Sequence, residues 1–225
     1  MHILRFDDLP PGGFAGLREK QFVTDARLFG ILKHPPTSDG LGNFVYLADA
    51  NFYPDGETRM HPHREIDVIS VMIEGRIRHE GSLEHGQALD TGYVQVQRAG
   101  GEGFRHNEIN PDGVENQMIQ LWFLPEEPGQ PAGYRVYPPV PGERIRVYGG
   151  SKEQDHTFDN HTWMDVMLAS PGQVLDQPGE SMLYVAKGSG TIDGIEIPPR
   201  TLIRGTDLEF EATTDAHLIS IYVNS

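Results

Sequence analysis

Glycine and proline recur so often along this chain that few stretches are long enough for a helix of ordinary length. The 225 residues include 26 Gly and 17 Pro, and both residue types interrupt regular structure. The runs between them are short and rich in Val, Ile, Tyr, Phe and Met, as in "DVISVMI" (Asp67 to Ile73) and "HLISIYV" (His217 to Val223). Such residues suit a pleated, half-buried surface. We therefore predict an all-β protein.

A proline-rich segment divides the predicted strands into two groups. Six of the residues from Pro125 to Pro141 are proline, a density that removes backbone donors from a sheet and favours a linker. The segments "VMIEGRIRHEG" and "YVAKGSGTIDG", which lie on either side of it, each place two glycines six positions apart. Because this spacing is a faint internal repeat, we predict two similar β domains, residues 1–130 and residues 131–225.

The charge balance disfavours two classes of partner. Lys and Arg number 18 against 33 Asp and Glu, which gives a formal net charge of -15. A surface this acidic repels phosphate backbones and anionic lipid headgroups. We expect neither direct nucleic-acid binding nor membrane association.

The chain has no cysteine, so any metal must be held by nitrogen and oxygen ligands. The amino terminus "MHILRFDDLPPGGF" also lacks a basic segment followed by an apolar core, and no apolar run approaches the roughly 18 residues of a membrane span. We expect a cytoplasmic location.

Two histidine-containing pairs are candidates for a metal site. In "RMHPHREID" an extended backbone puts His61 and His63 on the same face, because side chains two residues apart in a strand point the same way. The same reasoning puts His106 and Glu108 of "GGEGFRHNEIN" on one face. The separation of 43 positions between His63 and His106 suffices for about three strands, which can return the second pair to the first in a small barrel.

Three neutral imidazoles and one carboxylate suit Fe(II), Mn(II), Ni(II), Cu(II) or Zn(II), with positions left open for exogenous ligands. Two other interpretations stay open at this point. The first is that the His-x-His is a surface or hydrogen-bonded pair, as is often the case in a chain with 10 His. The second is a closed structural zinc site, although such sites usually recruit Cys. Asp67 shares the face of His61 and His63 and competes with Glu108 for the carboxylate role.

The segments "HPHREID", "RAGGEGFRHNE" and "QLWFLPEE" resemble the pirin branch of the bicupin superfamily, in particular its shorter bacterial, quercetinase-like members. The resemblance runs from about Phe44 to Glu127 and is weaker beyond. It implies two cupin barrels in tandem, each a double-stranded β-helix or jelly roll. It also implies one metal ion, commonly iron, in the first barrel. The ligands carried over by motif are His61, His63, His106 and Glu108.

One departure concerns the residues that follow the His-x-His. Arg64, Glu65, Ile66 and Asp67 stand where longer, eukaryotic-type pirins have Arg, Gly, Phe and Glu, and this difference resembles the bacterial subgroup. Since the resemblance places the carboxylate ligand at Glu108, we interpret Asp67 as an acceptor that orients an imidazole.

The second barrel is expected to be degenerate and metal-free. Aligning Gly188 with Gly75 puts Val174 and Asp176 where His61 and His63 stand. We interpret Gln120 as an outward polar residue or as one that reaches into the cavity, with the first slightly favoured. Five large side chains are interpreted as core residues or as an apolar mouth: Phe44, Phe52, Met72, Trp122 and Phe123. The other five histidines considered are interpreted as surface residues: His34, His79, His85, His156 and His161.

The resemblance implies an oxygenase of the quercetin 2,3-dioxygenase type. Its substrates would be O2 and a small aromatic polyphenol of the flavonol kind, and its cofactor one divalent transition ion. We expect Fe(II), with Ni, Mn, Cu and Zn as alternatives. Glu108 would accept the substrate's hydroxyl proton. The alternative implied by the same family is a non-enzymatic, metal-binding and redox-responsive regulatory module that binds a protein partner, for which an acidic surface suits a basic patch.

Overall fold

The structure, a computed structural model, describes residues 1–224. Strands dominate the described chain. The one α-helix among these residues is α1 (Ala26–Phe29), with 3₁₀ turns at Phe6–Asp8 and Gly30–Leu32. The strands are β1 (His2–Arg5), β2 (Gly12–Phe14), β3 (Leu17–Thr24), β4 (Phe44–Phe52), β5 (His61–His63), β6 (Asp67–Glu74), β7 (Arg76–Gly81), β8 (His85–Asp90), β9 (Val94–Arg98), β10 (Phe104–Ile109), β11 (Gln117–Phe123), β12 (Gly133–Tyr137), β13 (Arg144–Gly150), β14 (Asn160–Ala169), β15 (Val174–Lys187), β16 (Gly190–Ile192), β17 (Ile195–Ile197), β18 (Thr201–Ala212) and β19 (Ala216–Val223).

The all-β fold class is confirmed, and the chain forms two compact units. One comprises Leu9–Pro138; the other comprises Met1–Asp8 together with Pro139–Ser225. This division differs from 1–130 and 131–225 at both ends of the first domain.

Backbone pairing explains both differences. β1 pairs antiparallel with β18, so the amino-terminal strand completes the sheet of the carboxy-terminal unit. Within the proline-rich segment, the proline-free run Gly133–Tyr137 pairs antiparallel with β9. The segment is thus partly a strand of the first unit, because five successive residues keep the N–H groups that a ladder needs.

The first unit consists of two antiparallel sheets. One has the strand order β12-β9-β6-β11-β4-β3-β2, and the other has the order β5-β10-β7-β8. Its buried apolar residues include a cluster around Phe52, Met72 and Ile77 and another around Val45, Val68 and Phe104. Polar side chains share the interior with them, and these build the site described below.

The second unit is a single sheet of order β13-β14-β19-β15-β18-β16-β17, to which β1 adds beside β18. Its core is apolar and includes Leu183, Phe210 and Leu218. Gly188 has φ +78 and Gly75 of the first unit has φ +76. Both glycines thus occupy the left-handed region that other residues avoid, as the alignment of the two segments predicts.

No helix within residues 1–224 combines the length and the apolar character needed to cross a lipid bilayer.

Candidate metal centre

Two short strands bring the predicted histidines together. β5 pairs antiparallel with β10, with His61 opposite His106 and His63 opposite Phe104. The intervening Pro62 is exposed, whereas His61 and His63 are half-buried and His106 is fully buried. The period-two alternation of extended backbone therefore turns all three imidazoles to the interior.

The three rings converge through their Nε2 atoms. His106 Nε2 lies 3.0 Å from His61 Nε2 and 3.1 Å from His63 Nε2, and one ligand nitrogen from each ring falls within 4.8 Å of the others. A hydrogen on His106 Nε2 can serve only one of the two contacts. Three imidazole nitrogens aimed at a common point match the donor set that divalent transition ions prefer, so these residues fit a metal ion.

The tautomer of His61 is set by its backbone neighbour. His61 Nδ1 lies 2.8 Å from the Arg59 carbonyl oxygen, which can only accept, so Nδ1 carries the hydrogen and Nε2 keeps its lone pair. Arg59 has φ +64, a left-handed conformation that costs a residue with a side chain about 1 kcal/mol or more. This strained turn directs the carbonyl at the ring.

The side chain of Gln97 is placed to set the tautomer of His106. The Gln97 side-chain amide lies 3.1 Å from His106 Nδ1, while its oxygen is buried without a hydrogen-bond partner. Rotating the amide by 180° exchanges its oxygen and nitrogen. In that orientation His106 Nδ1–H donates to Gln97 Oε1, and Nε2 presents a lone pair to the cluster.

Burial keeps the rings of His63 and His106 neutral. Burial and the neighbouring His61 lower the pKa of His63 to about 4. Burial, together with the adjacent imidazoles, holds the pKa of His106 well below its ordinary value. Neutral imidazole is the form that binds metals, so at pH 7 the cluster is ready for an ion.

Glu108 lies two residues along β10 from His106, on the same face, and is fully buried. Ser70 Oγ donates to Glu108 Oε1 at 2.6 Å, and Gln95 Nε2 donates to the same oxygen at 3.2 Å. Gln120 Nε2 donates to Oε2 at 3.2 Å. Burial raises the pKa of Glu108 to about 7 even though these donors lower it. The group of convergent ligand atoms comprises the three histidines, and the assignment of Glu108 as a fourth ligand stays a prediction.

Asp67 and Gln120 are the two other polar residues that the sequence singled out. Asp67 is fully buried, accepts a hydrogen bond from the Ala99 amide at 3.3 Å, and lies 3.8 Å from Arg98 Nε. The slightly favoured outward placement of Gln120 is wrong, because its side chain turns inward to Glu108.

The surface interpretation of the remaining histidines is wrong for one of them. His34, His85, His156 and His161 are exposed, whereas His79 is fully buried. The signal for this was present in "RIRHEG", where charged residues alternate with Ile77, His79 and Gly81.

Sequence reasoning also missed Ser70, Gln95, Gln97 and Tyr134. Tyr134 comes from the strand inside the proline-rich segment, and its hydroxyl donates to Gln95 Oε1 at 2.8 Å. Because Gln95 in turn donates to Glu108, the Gln95 side-chain amide links the Tyr134 hydroxyl to the Glu108 carboxylate.

Aromatic rings flank the cluster. Phe104 and Trp122 lie 5.2 and 5.7 Å from His63 between ring centroids, and Phe14 lies 6.5 Å from His61. Among the five residues considered for an apolar mouth, Phe44, Phe52, Met72 and Phe123 are fully buried core residues. Trp122 alone of the five has a ring contact with a histidine of the cluster.

The two β units define a bicupin. The histidine cluster of its first unit is a candidate metal centre. The profile of the family described as Pirin matches residues 32–123. Over this part of the chain the sequence matches the pirin family.

The chain is similar to several proteins of known sequence or structure. The quercetin 2,3-dioxygenase of Escherichia coli K12 is 28% identical over 145 residues, which cover 60% of this chain and 62% of that enzyme. The bacterial pirin YhhW of Escherichia coli in complex with nickel(II) superimposes with a TM-score of 0.82 at 17% identity, covering 100% of this chain and 99% of YhhW. A quercetin 2,3-dioxygenase of Acinetobacter baumannii gives a TM-score of 0.70 at 16% identity, covering 98% and 85%.

Proposed function

We propose that this protein is a metal-dependent, ring-cleaving oxygenase of the quercetin 2,3-dioxygenase type that acts on flavonol-like substrates. The convergence of three imidazole nitrogens at one point carries the proposal. Relatives named quercetin 2,3-dioxygenase and a nickel-bound structural neighbour support it.

In this proposal His61, His63, His106 and Glu108 hold one divalent transition ion, with iron(II) expected and nickel, manganese, copper or zinc as alternatives. When bound, such an ion supplies Lewis acidity toward a substrate hydroxyl and open positions for exogenous ligands. The donor set suits this use because four protein ligands would leave positions open on an ion that takes five or six.

Glu108 is the proton acceptor in this scheme, once it swings partly off the ion. In the ion-free protein burial raises the pKa of this carboxyl to about 7, and such a carboxylate can take a proton from a phenolic hydroxyl and release it again near neutral pH. Oε1 already accepts from Ser70 and Gln95, whereas Oε2 accepts from Gln120. A carboxylate oxygen has room for about two hydrogen bonds, so Oε2 is the atom with capacity to spare.

The surrounding rings bind the substrate's apolar part. Trp122 and Phe104 stand beside His63, and Phe14 stands beside His61. Aromatic rings offset or edge-on to a flat polyphenol contribute packing and keep water from the reacting atoms.

The test uses protein loaded in turn with iron(II) and nickel(II) and supplied with quercetin in air. We expect one ion per chain by elemental analysis, together with oxygen uptake and release of carbon monoxide. His63→Ala should reduce both to background, and His85→Ala, which changes an exposed histidine, should leave both intact. Full turnover by His63→Ala would eliminate the proposal. A loaded protein that is inert toward flavonols but retains a specific protein partner would favour the regulatory alternative.

A further inference from the structure

A fourth imidazole lies inside the same unit as the cluster. His79 is on β7, which pairs antiparallel with β10, and its Cα partner across the ladder is Glu108. Arg76 and Arg78 of β7 are exposed, whereas Ile77 and His79 are fully buried. His79 therefore faces inward, like Glu108 and His106 on the neighbouring strand.

His79 makes ring contacts but no hydrogen bond. Its ring centroid lies 5.6 Å from that of His106 and 5.4 Å from that of Tyr134. Both ring nitrogens are buried, and neither has a hydrogen-bond partner of normal geometry among the described residues. Burial and the neighbouring His85 lower the pKa of His79 to about 4, and the nearby Glu84 main chain opposes this shift. Buried polar atoms are nearly always paired, and an unpaired one costs free energy.

His79 is not one of the convergent ligands. The ligand nitrogens of His61, His63 and His106 form a group without it. Its Nε2 instead borders Gly81, where an added Cβ would lie 2.8 Å from that nitrogen. Half-buried His61 and His63 mark the solvent-facing end of the cluster, and His106 with His79 marks the buried end.

A neutral imidazole offers one N–H donor and one lone pair. A hydroxyl beside a ketone, as in a flavonol, offers the complementary acceptor and donor. A buried site with such a pair discriminates strongly against ligands that leave it unpaired.

We propose that His79 is a substrate-contacting residue, which hydrogen-bonds an oxygen of the ligand bound beside the cluster. This inference rests on the proposed function for the identity of the ligand. It is distinct from the metal site, because it assigns to His79 a role toward the ligand and none toward the ion.

The experiment compares His79→Leu, which removes both nitrogens at similar volume, with His79→Gln, which retains a donor and an acceptor. His79→Phe replaces the leucine variant if that variant does not fold. Nickel binding is measured by calorimetry. Quercetin is then titrated into the nickel-loaded protein without oxygen and followed by its absorbance. We expect at least tenfold weaker quercetin binding in His79→Leu, recovery of most of the affinity in His79→Gln, and unchanged nickel affinity in both.

Equal quercetin affinity in wild type and His79→Leu overturns the inference. So does a loss of nickel affinity in His79→Leu, which would make His79 a metal ligand instead.

A wild-type protein that binds nickel but not quercetin refutes the proposed function, and acetohydroxamate then decides the role of His79 separately. That probe carries adjacent oxygens and a hydroxyl but no flavonol ring. Tenfold weaker binding in His79→Leu would support the contact, whereas equal binding, or no binding to wild type, would overturn it.

Discussion

Acid should destabilise the carboxy-terminal unit through His217. This residue lies on β19, opposite Leu168 on β14 and Lys187 on β15, and is 4% exposed. Burial, with a contribution from the Lys187 charge, lowers the pKa of His217 to about 4 from its ordinary 6.5. Between these two values the unfolded chain binds a proton that the folded chain does not. Stability from His217 is therefore complete above pH 6.5 and is lost as the pH falls toward 4.

The size of the effect follows from the two pKa values. The unfolding free energy lost through protonation of His217 amounts to about 2 kcal/mol at pH 5 and approaches about 3 kcal/mol below pH 4. Replacing His217 by leucine removes this contribution at every pH, because leucine does not titrate.

The assay is urea unfolding of the metal-free protein, followed by tryptophan fluorescence at pH 7.5 and pH 5. Between pH 7.5 and pH 5 the free energy of unfolding of wild type should fall by about 2 kcal/mol more than that of His217→Leu. His161→Leu, which changes an exposed histidine of the same unit, should behave like wild type. If His217→Leu lost as much stability as wild type on acidification, the buried neutral imidazole would not be the cause.

Two further changes test the hydrogen bonds described above. Gln97→Leu should weaken nickel binding about 10- to 100-fold, because His106 Nδ1 loses its hydrogen-bond partner. Gln97→Glu retains an acceptor and should bind nickel nearly as wild type does. Nickel affinities measured by calorimetry that were equal in the two variants would contradict the role assigned to Gln97. Asp165→Asn should destabilise the protein by about 1.5–3 kcal/mol, because the nearly buried carboxylate pairs with both Arg144 and Arg146; an unchanged urea midpoint would count against it.

Local pattern sufficed for the fold class and for the faces of the two motifs. A strand turns alternate residues to the same side whatever surrounds it, so His61 with His63, and His106 with Glu108, could be paired from spacing alone. The same rule, applied to "RIRHEG", would have found His79. The surface interpretation of His79 overlooks the alternation of buried and exposed residues within its strand.

The hydrogen-bond partners of the site were beyond the reach of spacing. Ser70 and Gln120 meet Glu108 across 38 and 12 residues of sequence, and Gln97 reaches His106 across 9. Which side chains meet depends on the register of separate strands, and one residue of slippage would turn each of them to the other face.

By itself the sequence determined that this chain is a β protein and that two histidine-bearing strands exist, because these are properties of neighbouring residues. Only the tertiary structure decided that His61, His63 and His106 meet, that β1 joins the carboxy-terminal sheet, and that a proline-rich stretch contributes Tyr134 to the interior. Those outcomes rest on pairing between distant strands, whose free energy comes from burying shared apolar surface and completing backbone ladders, and neither can be read from one segment alone.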